Sequence, residues 1–165
     1  MTKPLTGLAA AAQPNARVLI LGSMPGAASL AQQQYYAHPR NAFWPLMAQL
    51  AGIAPTLPYP DRVAALNSRG IALWDVIASC QRSGSLDSAI EEGELNDLAG
   101  LIQRVPTLRA IAHNGGESAR HMRVTQALGL PVFKLPSTSP AHASWSFERK
   151  LAAWREVFAQ AGLLD

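Results

Sequence analysis

Apolar positions along this chain fall into two rhythms. Four short, mostly apolar stretches, Val18 to Leu21, Ile71 to Val76, Leu108 to Asn114 and Pro131 to Leu135, are too short for buried helices and rich in branched side chains, so they predict strands buried on both faces. Between them the period lengthens to that of a helix. Phe43, Leu46, Met47 and Leu50 predict a helix that stops at Gly52, with Pro45 in its first turn, where a missing donor does no harm. A short helix led by Tyr59-Pro60-Asp61 passes through Val63 and Leu66 to a stop near Gly70. Leu95, Leu98, Leu101 and Ile102 predict a helix from Glu94 to Arg104, and Gly115-Gly116 opens another that closes at Gly129. Phe147, Leu151, Trp154 and Phe158 align along a last helix from about Ser146 to Ala161.

Strands alternating with helices, joined by crossovers rather than hairpins, predict an α/β fold: a three-layer α/β/α sandwich around a central four-stranded parallel sheet. The first 16 residues, small and polar with two prolines, predict a loose arm, and residues 17–165 a single domain. In open sheets of this kind ligands bind beyond the carboxyl ends of the strands. Gly22, Asp75, Asn114 and Pro136 begin the loops at those ends, so the four loops gather on one edge.

The first of these loops is unusual. Gly22-Ser23-Met24-Pro25-Gly26 empties into a polar and aromatic stretch reaching Trp44, with two Tyr, a Phe and a Trp in its last ten residues. A loop this long in a compact domain is functional or disordered, and four aromatic residues do not suit disorder. Its glycines suit close backbone approach to an anion, yet it is neither a P-loop nor a dinucleotide fingerprint, and Ser23 lies in no nucleophile elbow. Helical spacing assigns Phe43 to the core, which leaves Tyr35 and Tyr36, one of which could stack on a flat ring. Asp75 is as well explained by a loop carboxylate as by a functional one, and Asn114 by turn formation beside two glycines. His142 ends the polar loop Pro136 to His142 on the same edge.

Charge narrows the partners. The net charge is +3 and the pI is near 9.4. Residues 1–81 carry five basic and two acidic groups, 82–108 two and five, and 109–165 seven and four. The two basic ends could together face a polyanion. A single cysteine, Cys80, excludes an internal disulfide, and the four histidines lack metal-ligand spacing. With no long apolar span and no secretory leader, the expectation is a cytoplasmic protein.

Gly22-Ser23-Met24-Pro25-Gly26, the run Tyr35 to Trp44 containing His38-Pro39-Arg40-Asn41, and Leu135-Pro136-Ser137-Thr138-Ser139-Pro140-Ala141 together resemble the uracil-DNA glycosylase superfamily. Leu73 to Val76 and Ser85 to Ser88 bring the chain nearest to its hypoxanthine-DNA (deoxyinosine) glycosylase branch. The resemblance runs from about residue 17 to 158. It implies the three-layer fold, DNA containing deaminated bases as partner, no cofactor, no metal and a monomer. Met24 stands where other branches carry a catalytic Asn or Asp, and the resemblance moves that role to Asn41. Tyr36 falls at the base-stacking aromatic, and Gly22, Ser23, Pro25, Gly26, Ser137, Thr138, Ser139 and His142 in the loops that grip DNA. Leu135 replaces the superfamily's usual histidine.

Hypoxanthine and uracil both present a ring N–H beside a carbonyl, an edge that Asp75 or Asn114 could read. The only lysine near these loops is Lys134, so a Schiff-base lyase step is not expected. The expected activity is monofunctional hydrolysis of the N-glycosidic bond after base flipping, with hypoxanthine preferred to uracil. The alternatives are a G·U-specific uracil glycosylase and a non-catalytic DNA- or nucleotide-binding member of the fold.

Overall fold

Every residue of the strands at Val18–Gly22, Ile71–Asp75 and Ala110–Asn114 is buried, as expected for a parallel sheet covered on both faces. The computed structural model describes residues 4–82 and 91–164. In chain order the elements are β1 (Leu5–Thr6), β2 (Val18–Gly22), α1 (Ala27–Gln32), α2 (Phe43–Ala51), α3 (Tyr59–Ser68), β3 (Ile71–Asp75) and β4 (Ile77–Gln81). They continue with β5 (Glu91–Leu95), α4 (Leu98–Arg104), β6 (Ala110–Asn114), α5 (Gly116–Ala119), α6 (Met122–Gln126), β7 (Val132–Leu135) and α7 (Phe147–Gln160). The parallel sheet has the order β3-β2-β6-β7. The chain enters it at a central strand, steps to one edge and then crosses to the other side, so the switch in direction falls between β2 and β6.

Alternation along the strands divides the core in two. Ile20, Ile71, Leu73 and Ala112 pack under Phe43, Leu46 and Met47 of α2 and Trp154 and Phe158 of α7. Leu19, Leu21, Ala72, Trp74 and Ile111 pack on the opposite face with Leu98 and Leu101 of α4. The expected three-layer α/β/α sandwich with a four-stranded parallel sheet is what forms. The helices of the first face start and stop where their sequences direct: Gly52 ends α2 in a left-handed conformation, and Ser146 Oγ accepts the Arg149 N–H to begin α7.

Three expectations require correction. The amino-terminal arm is not loose from residue 4 onward. Leu5 and Thr6 pair antiparallel with Cys80 and Ser79, and Ala11 exchanges two hydrogen bonds with Leu73, of 2.9 and 3.1 Å. Trp74 Nε1–H donates to Leu8 O at 3.2 Å and the Tyr35 hydroxyl to Ala9 O at 2.8 Å. The cause is the open edge of β3, whose backbone groups need partners that the arm supplies. Connections are not all crossovers either. β3 runs through Val76 into β4, and β1, β4 and β5 form a second, antiparallel sheet. The helix expected from Glu94 therefore begins only at Leu98, where Asp97 Oδ1 accepts the Gly100 N–H at 3.0 Å. The helix expected after Gly115 is divided into α5 and α6. The polar loop at 84–88, and with it Ser85 to Ser88, lies outside the described residues.

Inside β6, His113 is fully buried and ties this strand to its neighbours. Nδ1 lies 2.7 Å from Ser118 Oγ, which donates to Leu21 O at 2.8 Å, and Nε2 lies 2.8 Å from Thr125 Oγ1. Because the serine hydroxyl spends its proton on Leu21 O, Nδ1 donates to that hydroxyl, while Nε2 faces Thr125 Oγ1, which also lies 3.2 Å from Met122 O. The neutral ring thus joins β2, β6, α5 and α6. Burial lowers its pKa from 6.5 to about 4, and His121 adds to the effect. Above the unfolded value the two states bind equal numbers of protons at this site; below it the unfolded chain binds more. Stability should therefore fall as the pH drops from 6.5 to about 4, by on the order of 3 kcal/mol from this group. Urea midpoints across that window should show the loss. His113→Gln should flatten the slope whatever its own stability, and an unchanged slope would remove His113 from the account.

Candidate active site

The carboxyl ends of the parallel strands open into a cleft of about 460 Å³ at the switch between β2 and β6. All twelve residues singled out from the sequence line it: Gly22, Ser23, Pro25, Gly26, Tyr36, Asn41, Asp75, Asn114, Ser137, Thr138, Ser139 and His142. Their meeting follows from parallel topology. Strands that all point one way deliver their outgoing loops to one edge.

The first loop is pinned to the sheet at its start. Gly22 O accepts the Val76 N–H at 2.9 Å and Ser23 O the Ile77 N–H at 3.0 Å. Gly22 lies opposite Asp75 in register, and a Cβ there would collide with Asp75 Oδ1. Glycine at this position leaves the carboxylate the space that a side chain would fill. Met24 is 5% exposed and belongs to the apolar cluster beneath the loop, so it forms a greasy wall of the cleft. Arg82, buried at the end of β4, donates Nη2–H to Pro25 O at 2.6 Å and holds the turn from behind.

Further along, the same loop presents its aromatic and amide groups. Tyr36 takes a left-handed backbone conformation, φ +57°, and its ring stacks on Phe43 with centroids 4.1 Å apart and planes 26° from parallel. One face of Tyr36 is thus backed by a fully buried ring. Tyr35 also lines the cleft, but its hydroxyl is committed. It is 4% exposed, and burial, with Asp75 contributing, raises its phenol well above the ordinary tyrosine value, so it remains a neutral donor to Ala9 O. Asn41 Oδ1 accepts the Phe43 N–H at 2.9 Å, one of the donors that opens α2 without an intrahelical partner. That bond fixes the amide plane, while the oxygen's second lone pair and the NH2 group are not consumed by it.

The second loop is fastened to the first. Asn114 Nδ2–H donates to Thr138 Oγ1 and the Thr138 N–H donates to Asn114 Oδ1, both at 3.0 Å. Thr138 O in turn accepts the Ala42 N–H at 2.9 Å, next to Asn41. Ser137 Oγ and Ser139 Oγ accept the backbone N–H two residues on, which curls the loop, and Trp154 Nε1–H donates to Pro136 O at 3.0 Å.

His38 lines the cleft although sequence reasoning gave it no role. Its Nδ1 accepts the Arg40 N–H at 3.0 Å, which leaves Nε2–H as the donor of the neutral ring. Its place three residues before Asn41 was the available signal. Arg82 was also missed; its link to Pro25 spans 57 residues, and nothing local announces it. Among the described residues no three of His, Cys, Asp and Glu form a group able to hold a metal ion. No helix among them is long and apolar enough to cross a membrane.

Comparison with known proteins places this geometry. The family model of the uracil DNA glycosylase superfamily matches residues 10–158. A curated relative, the hypoxanthine DNA glycosylase of Methanosarcina acetivorans, is 37% identical over 153 residues, 92% of this chain and 96% of its own. The hypoxanthine DNA glycosylase of Methanosarcina barkeri is 34% identical over 145 residues, 87% and 91% of the two chains. A solution NMR structure from Methanosarcina acetivorans, studied as a candidate uracil DNA glycosylase, superposes with a TM-score of 0.86 at 35% identity, covering 97% of this chain and 99% of its own. By family model, relatives and fold together, the chain belongs to the uracil DNA glycosylase superfamily.

Proposed function

We propose that this protein is a monofunctional DNA glycosylase that releases deaminated bases, hypoxanthine before uracil, from nucleotides extruded into the cleft. The observation that carries the reading is the Phe43–Tyr36 stack standing beside an amide already fixed in orientation, that of Asn41. A flat base entering the cleft stacks on the outer face of Tyr36. The two curated relatives named above are hypoxanthine DNA glycosylases, which supports the choice of base.

In this reading Asn41 is the catalytic residue. A carboxamide is hardly basic, so it orients the attacking water through its carbonyl and NH2 groups while the sugar develops oxocarbenium character. Most of the rate must then come from easing the departure of the base. Asp75, at the cleft floor, receives the lactam N–H that hypoxanthine and uracil share and that adenine and cytosine lack at that position. Asn114 acts through Thr138, holding the second loop, and His38 offers its Nε2–H to the departing base. The loop groups of Gly22, Ser23, Pro25 and Gly26 on one side and Ser137, Ser139 and His142 on the other hold the flanking DNA. Among the described residues no lysine lines the cleft, which supports hydrolysis without a lyase step. The proposal includes a monomer working in the cytoplasm without cofactor or metal.

The test is a base-release panel: single-stranded, matched and mismatched oligonucleotides carrying deoxyinosine or deoxyuridine, with free base measured by mass spectrometry. Hypoxanthine should be released fastest, and the product strand should break only after alkali. Uracil released faster at G·U would instead favour a G·U-specific uracil glycosylase. Tight binding with no free base from any substrate would overturn the enzyme reading altogether. In the same panel, Tyr36→Leu should weaken capture of the extruded base by roughly 1–3 kcal/mol, seen as a rise in KM, while Tyr36→Phe should remain near the parent.

A further inference from the structure

Beyond the cleft loop, Trp145 follows His142 by three positions, and their rings stand 5.9 Å apart. Arg149, in the first turn of α7, lays its guanidinium carbon 3.6 Å from the centre of the Trp145 ring. His142 lines the cleft, so the Trp145–Arg149 pair is one ring contact removed from it. The Trp145 ring is partly buried and Arg149 is exposed. The ion pair found among the described residues is Arg120–Glu117, so no described carboxylate lies within 4.0 Å of Arg149.

We propose that Arg149, held flat on Trp145, binds a backbone phosphate of the DNA strand beside the extruded nucleotide. The inference rests on the DNA substrate of the proposed function and adds a binding residue outside the motifs that carry the family resemblance. Three physical reasons support it. A guanidinium stacked face-on keeps its N–H donors at its edge, in the plane that suits two phosphate oxygens. The stack also fixes a long side chain in advance, so less entropy is lost on binding. Extrusion of a nucleotide requires its flanking phosphates to be held, and the pair adjoins the loop where that strand must pass.

A second stacked arginine provides the control. Arg62 lies 4.7 Å over Trp44, but its Nε–H is spent on Leu57 O at 3.1 Å, and the rings beside Trp44, those of Phe43 and Tyr59, do not line the cleft as His142 does.

The experiment is fluorescence anisotropy with a duplex carrying one tetrahydrofuran abasic analogue, from about 50 to 200 mM salt. Arg149→Ala should weaken binding about tenfold at low salt and reduce the slope of log K against log salt by about 1. Arg149→Lys should keep the slope but bind less tightly, and Trp145→Ala should fall between. In turnover of a deoxyinosine duplex, Arg149→Ala should raise KM more than it lowers kcat. Arg149→Gln, which keeps a flat terminal group over the ring, provides a second reading should the alanine variant fold poorly. Arg62→Ala should retain the parent slope. An unchanged slope in both Arg149→Ala and Arg149→Gln, or an equal loss in Arg62→Ala, would overturn the assignment while leaving base release intact. A parent protein that binds no duplex at all would overturn the proposed function, and this inference with it.

Discussion

The site depends on one close approach, at the carboxyl ends of β2 and β3. Gly22 stands opposite Asp75, and the carboxylate fills the volume that any Cβ at Gly22 would need. This contact sets where the first loop leaves the sheet. Two further hydrogen bonds, Val76 N–H to Gly22 O and Ile77 N–H to Ser23 O, extend the pairing past the end of the strand and keep the exit rigid. Arg82 then holds Pro25 O from the second sheet. A loop that would otherwise lose entropy on ordering is thus largely ordered before any substrate arrives.

From that exit the chain builds a network rather than a set of separate residues. Thr138 is its centre. It takes both polar ends of the Asn114 amide, from the end of β6, and accepts the Ala42 N–H, at the start of α2. Asn41, next in the chain to Ala42, caps Phe43, and Phe43 backs the Tyr36 ring. The carboxyl end of one strand, the second loop and the stacking surface therefore move together. Such coupling suits a reaction in which an amide must be placed accurately because it has little basicity to offer.

Much of the fold was legible because its signals are periodic. The strands β2, β3 and β6 open on apolar runs, Val18 to Leu21, Ile71 to Trp74 and Ala110 to Ala112, and α2 and α7 carry apolar stripes with their stops, so their places follow from burial. The second sheet was not legible. Glu91 to Leu95 is acidic and holds a glycine, and its strand exists because β4 offers it an edge. The arm was missed for the same reason: Ala9 to Ala12 shows no rhythm, and its order comes from the edge of β3 and from donors on Trp74 and Tyr35. At the site, parallel topology was enough to bring Gly22, Asp75, Asn114 and the Pro136 loop together. What sequence could not show was what each amide already holds, or that Arg82 and Arg149 find partners far along the chain or one helical turn away.

In the proposed function, Met24 is only a wall of the cleft and catalytic duty rests on Asn41, further along the same loop. The most direct test of that claim is the single-turnover rate of Asn41→Ala on a deoxyinosine duplex at saturating enzyme, with affinity for an abasic-analogue duplex measured beside it. The account predicts a rate lower by about a hundredfold or more, with duplex affinity changed by only a few-fold. A retained rate would contradict it, and so would a loss that merely followed a matching loss of DNA affinity.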